Sequence, residues 1–282
     1  MLQAPQRTGL SGPTLIRLLT RLTDAEVQQS RQSLSDHLSQ WLGWTDAIAL
    51  SAALNTAPPV IAPGARMFSS AEERECVRVR TTLADAIASD TAATAAKRVA
   101  PARAPAKKLA AVLAEDEFDY SSFRQRYLSL QHTMETSVGN LRSRLRGMVA
   151  ARNGEWTRLA VVDAIMDRAL LPKERALLGA IPKLLQVHFD RLRKAEEAAL
   201  AQVAEQAQAE TGAQADAAAN AQGDTEAPAV DAAQAGTAPP APAITAGAWL
   251  DTFRADMRAV LLAELDVRFQ PVEGLLAALR TS

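Results

Sequence analysis

The sequence predicts an all-α protein: a long-helix bundle with an N-terminal helical block, a disordered Ala/Pro/acidic tether and a C-terminal docking helix. Three observations carry this. Alanine supplies 59 of the 282 residues, and no residue has a higher helix propensity. Phe123, Tyr127, Leu130, Met134, Val138, Leu141, Leu145 and Met148 recur at steps of 4, 3, 4, 4, 3, 4 and 3, a period between those of a coiled coil and a straight helix. Strand patterning is nearly absent. Val77-Arg78-Val79-Arg80 alternates, but inside a longer stretch of helical spacing, and Val60-Ile61 follows a pair of prolines.

Taken in order, the first helix follows Pro13 and runs to about Leu22, with Leu15, Ile16, Leu18, Leu19 and Leu22 apolar. Thr23 with Glu26 reads as a capping box opening a second helix through Val27, Leu34, Leu38 and Trp41. Gly43 interrupts it, and Thr45 caps a continuation from Asp46 to Leu54. After the proline-rich stretch 57–64, Ser70 and Glu73 form another box, and Cys76, Leu83 and Ile87 mark that helix's buried face. Pro101 and Pro105 break the helical pattern in a basic, alanine-rich stretch. A short helix over Lys107 to Ala114 and an acidic run, Glu115 to Asp119, precede the long helix at about 121–151.

Trp156, Leu159, Val162, Ile165, Met166 and Leu170 then form a shorter helix, broken at Leu171-Pro172. The next carries Leu178, Ile181, Leu185, Phe189 and Leu192 and is kinked or divided by Pro182. Residues 210–243 hold 14 alanines, four prolines, five acids and no base, too little apolar surface to offset the entropy of ordering. Trp249, Leu250, Phe253, Met257, Val260, Leu261 and Leu265 restore an apolar helical face that ends before Pro271, with a short final turn through Leu275, Leu276 and Leu279. The predicted organisation is therefore an N-terminal block at 10–90, a basic linker at 91–106, a central bundle at 107–209, the tether at 210–243 and an amphipathic C-terminal helix at 245–280.

Composition narrows the function. With 31 basic and 32 acidic side chains, the chain does not hold nucleic acid through net charge. The single cysteine excludes an intrachain disulfide and any multi-cysteine metal site. Residues 1–8 carry no apolar signal core, and no stretch offers the roughly 20 continuous apolar residues a membrane helix needs, so the expected location is the cytoplasm. The short Pro13–Leu22 helix has too little area to hold a membrane surface by itself.

His37, His132 and His188 fall on three predicted helices without acids or cysteines at ligand spacing. Phosphate-cradling loops, dinucleotide glycine fingerprints and zinc-protease motifs are missing. No catalytic, cofactor-binding or metal-ligating residue is assigned, and no cofactor or enzymatic activity is expected.

Charge is unevenly spread. Residues 97–158 hold 12 basic and six acidic side chains, and residues 195–234 hold eight acids and no base. Arg124, Arg142 and Arg146 fall on one shoulder of the long helix stripe, Arg126 and Arg144 on the other. The first reading pairs them with neighbouring carboxylates; the others dock an acidic helix or a nucleic acid.

The runs Arg7-Thr-Gly-Leu-Ser-Gly-Pro-Thr-Leu-Ile-Arg-Leu-Leu19 and Leu34-Ser-Asp-His-Leu-Ser-Gln-Trp-Leu-Gly-Trp-Thr-Asp-Ala-Ile-Ala-Leu50 resemble an uncharacterised proteobacterial family known only as a domain of unknown function. The resemblance brings no activity, cofactor or catalytic residue, and implies an adaptor in an envelope-linked assembly. The expected function is a non-enzymatic helical interaction or scaffold protein that binds a protein partner or itself, with Trp249, Phe253, Met257 and Leu261 as anchors. The alternative is a nucleic-acid-associated protein using the five arginines of the long helix.

Overall fold

The computed structural model describes residues 13–23, 32–55, 68–99, 119–152, 154–220 and 247–281. Side chains are described to residue 89 of the fourth helix and, residue 207 apart, to residue 209 of the seventh. The described residues form helices and their connecting turns and contain no strand. The helices are α1 (Thr14–Thr23), α2 (Leu34–Trp41), α3 (Trp44–Asn55), α4 (Ser70–Val99), α5 (Tyr120–Ala150), α6 (Gly154–Leu178), α7 (Ile181–Asn220) and α8 (Ala248–Arg280). Of the predicted linker at 91–106, residues 91–99 instead continue α4, and of the predicted tether at 210–243, residues 210–220 instead continue α7; residues 100–106, the 107–114 helix, Glu115 to Glu117 and residues 221–243 lie outside the described residues.

Two compact units result. One comprises residues 1–187 together with 254–282, the other residues 188–253. In the larger unit α5 packs against α4 and α6, and α6 also carries α2 and α3. The part of α8 from Arg254 onward belongs to this unit and touches most of it. Its Asp256 pairs with Arg21 of α1, its Asp266 and Glu273 with Arg80 of α4, and its Arg280 with Glu73 of α4. Arg152, at the end of α5, donates to the carbonyls of Ala278 and Leu279. In the smaller unit Phe189 meets Trp249 and Phe253 edge to face, with centroids 4.8 and 5.0 Å apart. There, too, the amide of Gly247, whose φ of 86° suits glycine, donates to Glu196.

The long-helix stripe is buried as predicted, with one exchange: Gln131 takes the interior place and Leu130 is left half-buried. Asp119 caps this helix by accepting from the Ser121 amide. Cys76, Leu83 and Ile87 are buried on α4. Desolvation raises the Cys76 thiol above its ordinary pKa.

Several boundaries move. Thr23 is the last residue of α1, its hydroxyl donating to the Leu19 carbonyl; its predicted box with Glu26 falls on residues 24–31, outside the described residues. Instead Ser33 and Asp36 form the capping box of α2. The box of α4 falls one residue early: the Ser69 amide donates to Glu72, and the Ser69 hydroxyl accepts from Ala71. The Ser69 hydroxyl also donates to Glu72 at 2.7 Å, and this bond, then the one from the Ser69 amide, holds the Glu72 carboxyl below its ordinary range. Gly43, not Thr45, precedes α3 and accepts from the Ala47 amide.

The prolines behave differently from the prediction. Pro172 lies inside a continuous α6, and Pro271 inside a continuous α8. The break comes at Gly179-Ala180, where the Gly179 amide reaches the Arg175 carbonyl at 2.9 Å. Pro182 follows in the first turn of α7, where a missing N–H costs nothing.

Candidate interaction site

Ionisable side chains are most concentrated in the larger unit, around Glu264, whose side chain is fully buried. Its carboxylate accepts from the Tyr127 hydroxyl at 2.7 Å, from Gln131 Nε2 at 2.9 and 3.1 Å, and from Arg268 Nε at 2.9 Å. Gln131 also donates to the Leu178 carbonyl, closing α5 onto the end of α6. Arg268 reaches on to Glu174 at 3.1 Å. Burial, then the Glu264 carboxylate, raises the pKa of Tyr127, so it stays a donor. Burial likewise raises the Glu174 carboxyl. These donors and acceptors come from α5, α6 and α8, and each serves another member of the set. Buried charge is tolerated on such terms, as a paired and hydrogen-bonded network.

A cleft of about 300 Å³ opens beside this network. Trp41, Leu170, Leu171 and Pro271 supply apolar walls, and Glu135, Arg142, Asp167, Lys173, Glu174 and Arg268 its charged groups. The carboxylates are already engaged. Glu135 accepts from Arg175, which holds its carboxyl below the ordinary value. Glu174 accepts from Arg268. Asp167 is held by Arg142 at 2.5 Å and Arg146 at 2.7 Å. Among the described residues no three His, Cys, Asp or Glu side chains stand where they could share a metal ion. His188 is buried with its ring beside Phe253, and its Nδ1 lies 3.2 Å from Arg191 Nη2. His37 is half-buried next to Trp41.

The five flanking arginines divide. Arg142 and Arg146 form a double fork with Asp163 and Asp167 across α5 and α6. Arg144 lies 3.6 Å from Glu75 of α4. Arg124 is exposed and Arg126 half-buried. The four anchors assigned from sequence are all buried within this chain: Trp249 and Phe253 in the smaller unit with Phe189, Met257 and Leu261 in the larger.

Apolar surface is instead presented by α3. Its half-buried positions are Asp46, Ala49, Leu50 and Ala53, one helical face. That side lies on α6, with Asp46 paired to Arg168 at 3.0 Å. The opposite side carries Trp44, 82% exposed, Ile48, 55% exposed, and Leu54, 53% exposed, among Ala47, Ser51 and Ala52. Leu34 of the neighbouring α2 is 74% exposed. Asp46 is the only charged residue of α3.

Sequence reasoning passed over this surface because it treats any apolar helix as core. The signal lay in the near-absence of charge around α3, whose apolar residues fall on every side: such a helix needs cover on both sides, and α6 covers one. It also passed over Gln131, Glu264 and Arg268. The last two left a trace, an i,i+4 acid–base pair among the apolar positions Leu261, Leu265 and Phe269.

A family described as "Protein of unknown function (DUF3348)" matches residues 1–281. No curated protein and no solved structure matches the chain. The chain belongs to that family.

Proposed function

We propose that this DUF3348 family member is a non-enzymatic interaction protein, a helical scaffold kept in the cytoplasm that meets another helical surface through the outward side of α3. The observation that carries the reading is the bare, uncharged face of α3, headed by Trp44 at 82% exposure. Large aromatic side chains contribute most to docking when they become desolvated at the centre of an interface. Left in water, Trp44, Ile48 and Leu54 form a patch of the kind that marks interaction sites.

The ionisable clusters support the same reading from the other side. Glu135, Asp163, Asp167, Glu174 and Glu264 all have arginine partners, an arrangement that stiffens a scaffold. An adaptor role in an envelope-linked assembly gives this surface a setting. Among the described residues no helix is long and apolar enough to cross a membrane, so the adaptor would reach such an assembly through protein contacts.

The test compares wild type and Trp44→Glu as baits for affinity capture from the native cell. Partners retained by the first and lost by the second support the reading; identical sets overturn it. Filter binding to DNA and RNA over a salt series separates the nucleic-acid alternative, which would show affinity falling steeply with salt and depending on Arg124 and Arg126.

A further inference from the structure

We propose that the cleft bordered by α5, α6 and α8 is a binding site for a small organic acid. The apolar body of the ligand lies between the walls, and its carboxylate meets the Lys173 ammonium. The site goes beyond the protein-docking role proposed above and does not depend on it.

The cleft lies wholly within the larger unit. Its volume of about 300 Å³ stands at the lower end of the roughly 300–1,000 Å³ that ligand sites occupy. Such sites set a few polar groups among apolar walls, and Trp41, Leu170, Leu171 and Pro271 form walls of that kind here.

The charged groups of the lining are not equivalent. Each carboxylate is matched from within the chain: Glu135 by Arg175, Asp167 by Arg142 and Arg146, and Glu174 by Arg268. A cationic ligand would have to displace an arginine to reach any of them. Lys173 differs. It lines the same cleft, and among the described residues it has no ion-pair partner. An ammonium only donates hydrogen bonds, so its complement is an anion. Arg268 adds to the bias from the interior. Its side chain is 5% exposed, and it spends Nε on Glu264 and Nη1 on Glu174, which leaves further N–H groups of its guanidinium uncommitted.

Gly139 lies on the same lining, in the interior of α5, where alanine is the better helix former. A Cβ at this position would meet no atom within 4 Å, so no neighbouring element requires the glycine. Its missing side chain leaves open space in the cleft that a larger residue would fill.

Octanoate is the probe, with 1-octanol and octylamine as its neutral and cationic counterparts. Each is titrated calorimetrically into the full chain up to about 10 mM, above the roughly millimolar dissociation constant typical of so small a ligand. Octanoate should bind, octanol should bind more weakly, and octylamine should not bind. Lys173→Gln should weaken octanoate about fivefold, the most that an exposed ion pair usually supplies, and should leave octanol unchanged. Gly139→Leu should abolish the binding of both. Its thermal melt should stand at or above that of wild type, because leucine favours the helix and its Cβ has room, so lost binding is not lost folding. A chain that takes up no octanoate overturns the proposal. So does octylamine bound as tightly as octanoate, octanoate affinity indifferent to Lys173→Gln, or binding that survives Gly139→Leu.

Discussion

Glu264 holds three donors at once, and its removal would strand the Tyr127 hydroxyl and leave Gln131 only the Leu178 carbonyl. Glu264→Leu leaves Arg268 charged and buried with only Glu174 in reach, and takes the acceptor from Tyr127 and Gln131. We expect a loss of about 3–5 kcal/mol in urea denaturation, the usual cost of breaking a buried ion pair from one side. Adding Arg268→Met should return part of that loss, since the orphaned charge leaves with the arginine. A single variant as stable as wild type would mean that water reaches the network. Such a cluster is hard to read from sequence because its members sit 133 residues apart, as with Gln131 and Glu264. A polar residue on an apolar stripe then looks like an error in the stripe. Leu130 was the natural choice by hydrophobicity, and Gln131 lies next to it; only the carboxylate opposite explains the exchange.

Helix breaks in this chain follow hydrogen-bond geometry more closely than they follow proline. Pro172 sits exposed within α6, without the amide that would bond the Arg168 carbonyl. Pro172→Ala restores that donor and should stabilise the chain by about 1–2 kcal/mol, after the greater freedom of the unfolded alanine is subtracted. Gly179→Ala should do the opposite, because its Cβ would stand 2.8 Å from the Arg175 carbonyl oxygen. Thermal melts of the two variants, one raised and one lowered, check both expectations. Periodicity made the long helices legible and placed the α5 stripe correctly, because burial on one face dictates that spacing. Their ends were less legible: the caps at Ser33 and Ser69 compete with similar nearby serines and threonines. A proline inside a helix is also a matter of energy balance. Around Pro271 the buried run of Phe269, Val272, Leu275, Leu276 and Leu279 outweighs one lost bond.

At the scale of the molecule, the larger unit draws on both ends of the described chain, and residues 254–280 of α8 bring Val260, Leu261, Leu265, Phe269, Val272 and Leu279 into its interior. Removing residues 254–282 should therefore abolish cooperative unfolding of what remains; circular dichroism would show helix content that melts broadly. A sharp transition in the shortened chain would mean that α1 to α6 hold a core without α8. That the final apolar helix would dock could be anticipated from its unsolvated face. Its docking place could not, because the tether prediction leaves the end of the chain free to reach many surfaces.

The same topology imposes a timetable on synthesis. Of the described helices, α8 is the last to leave the ribosome, yet α1, α4, α5 and α6 all close against it. Chains grow at about 5–20 residues per second, so the greasy sides of the earlier helices wait many seconds uncovered. The larger unit therefore closes its core only after α8 has been made, and until then the earlier helices carry exposed apolar surface of the kind that aggregates.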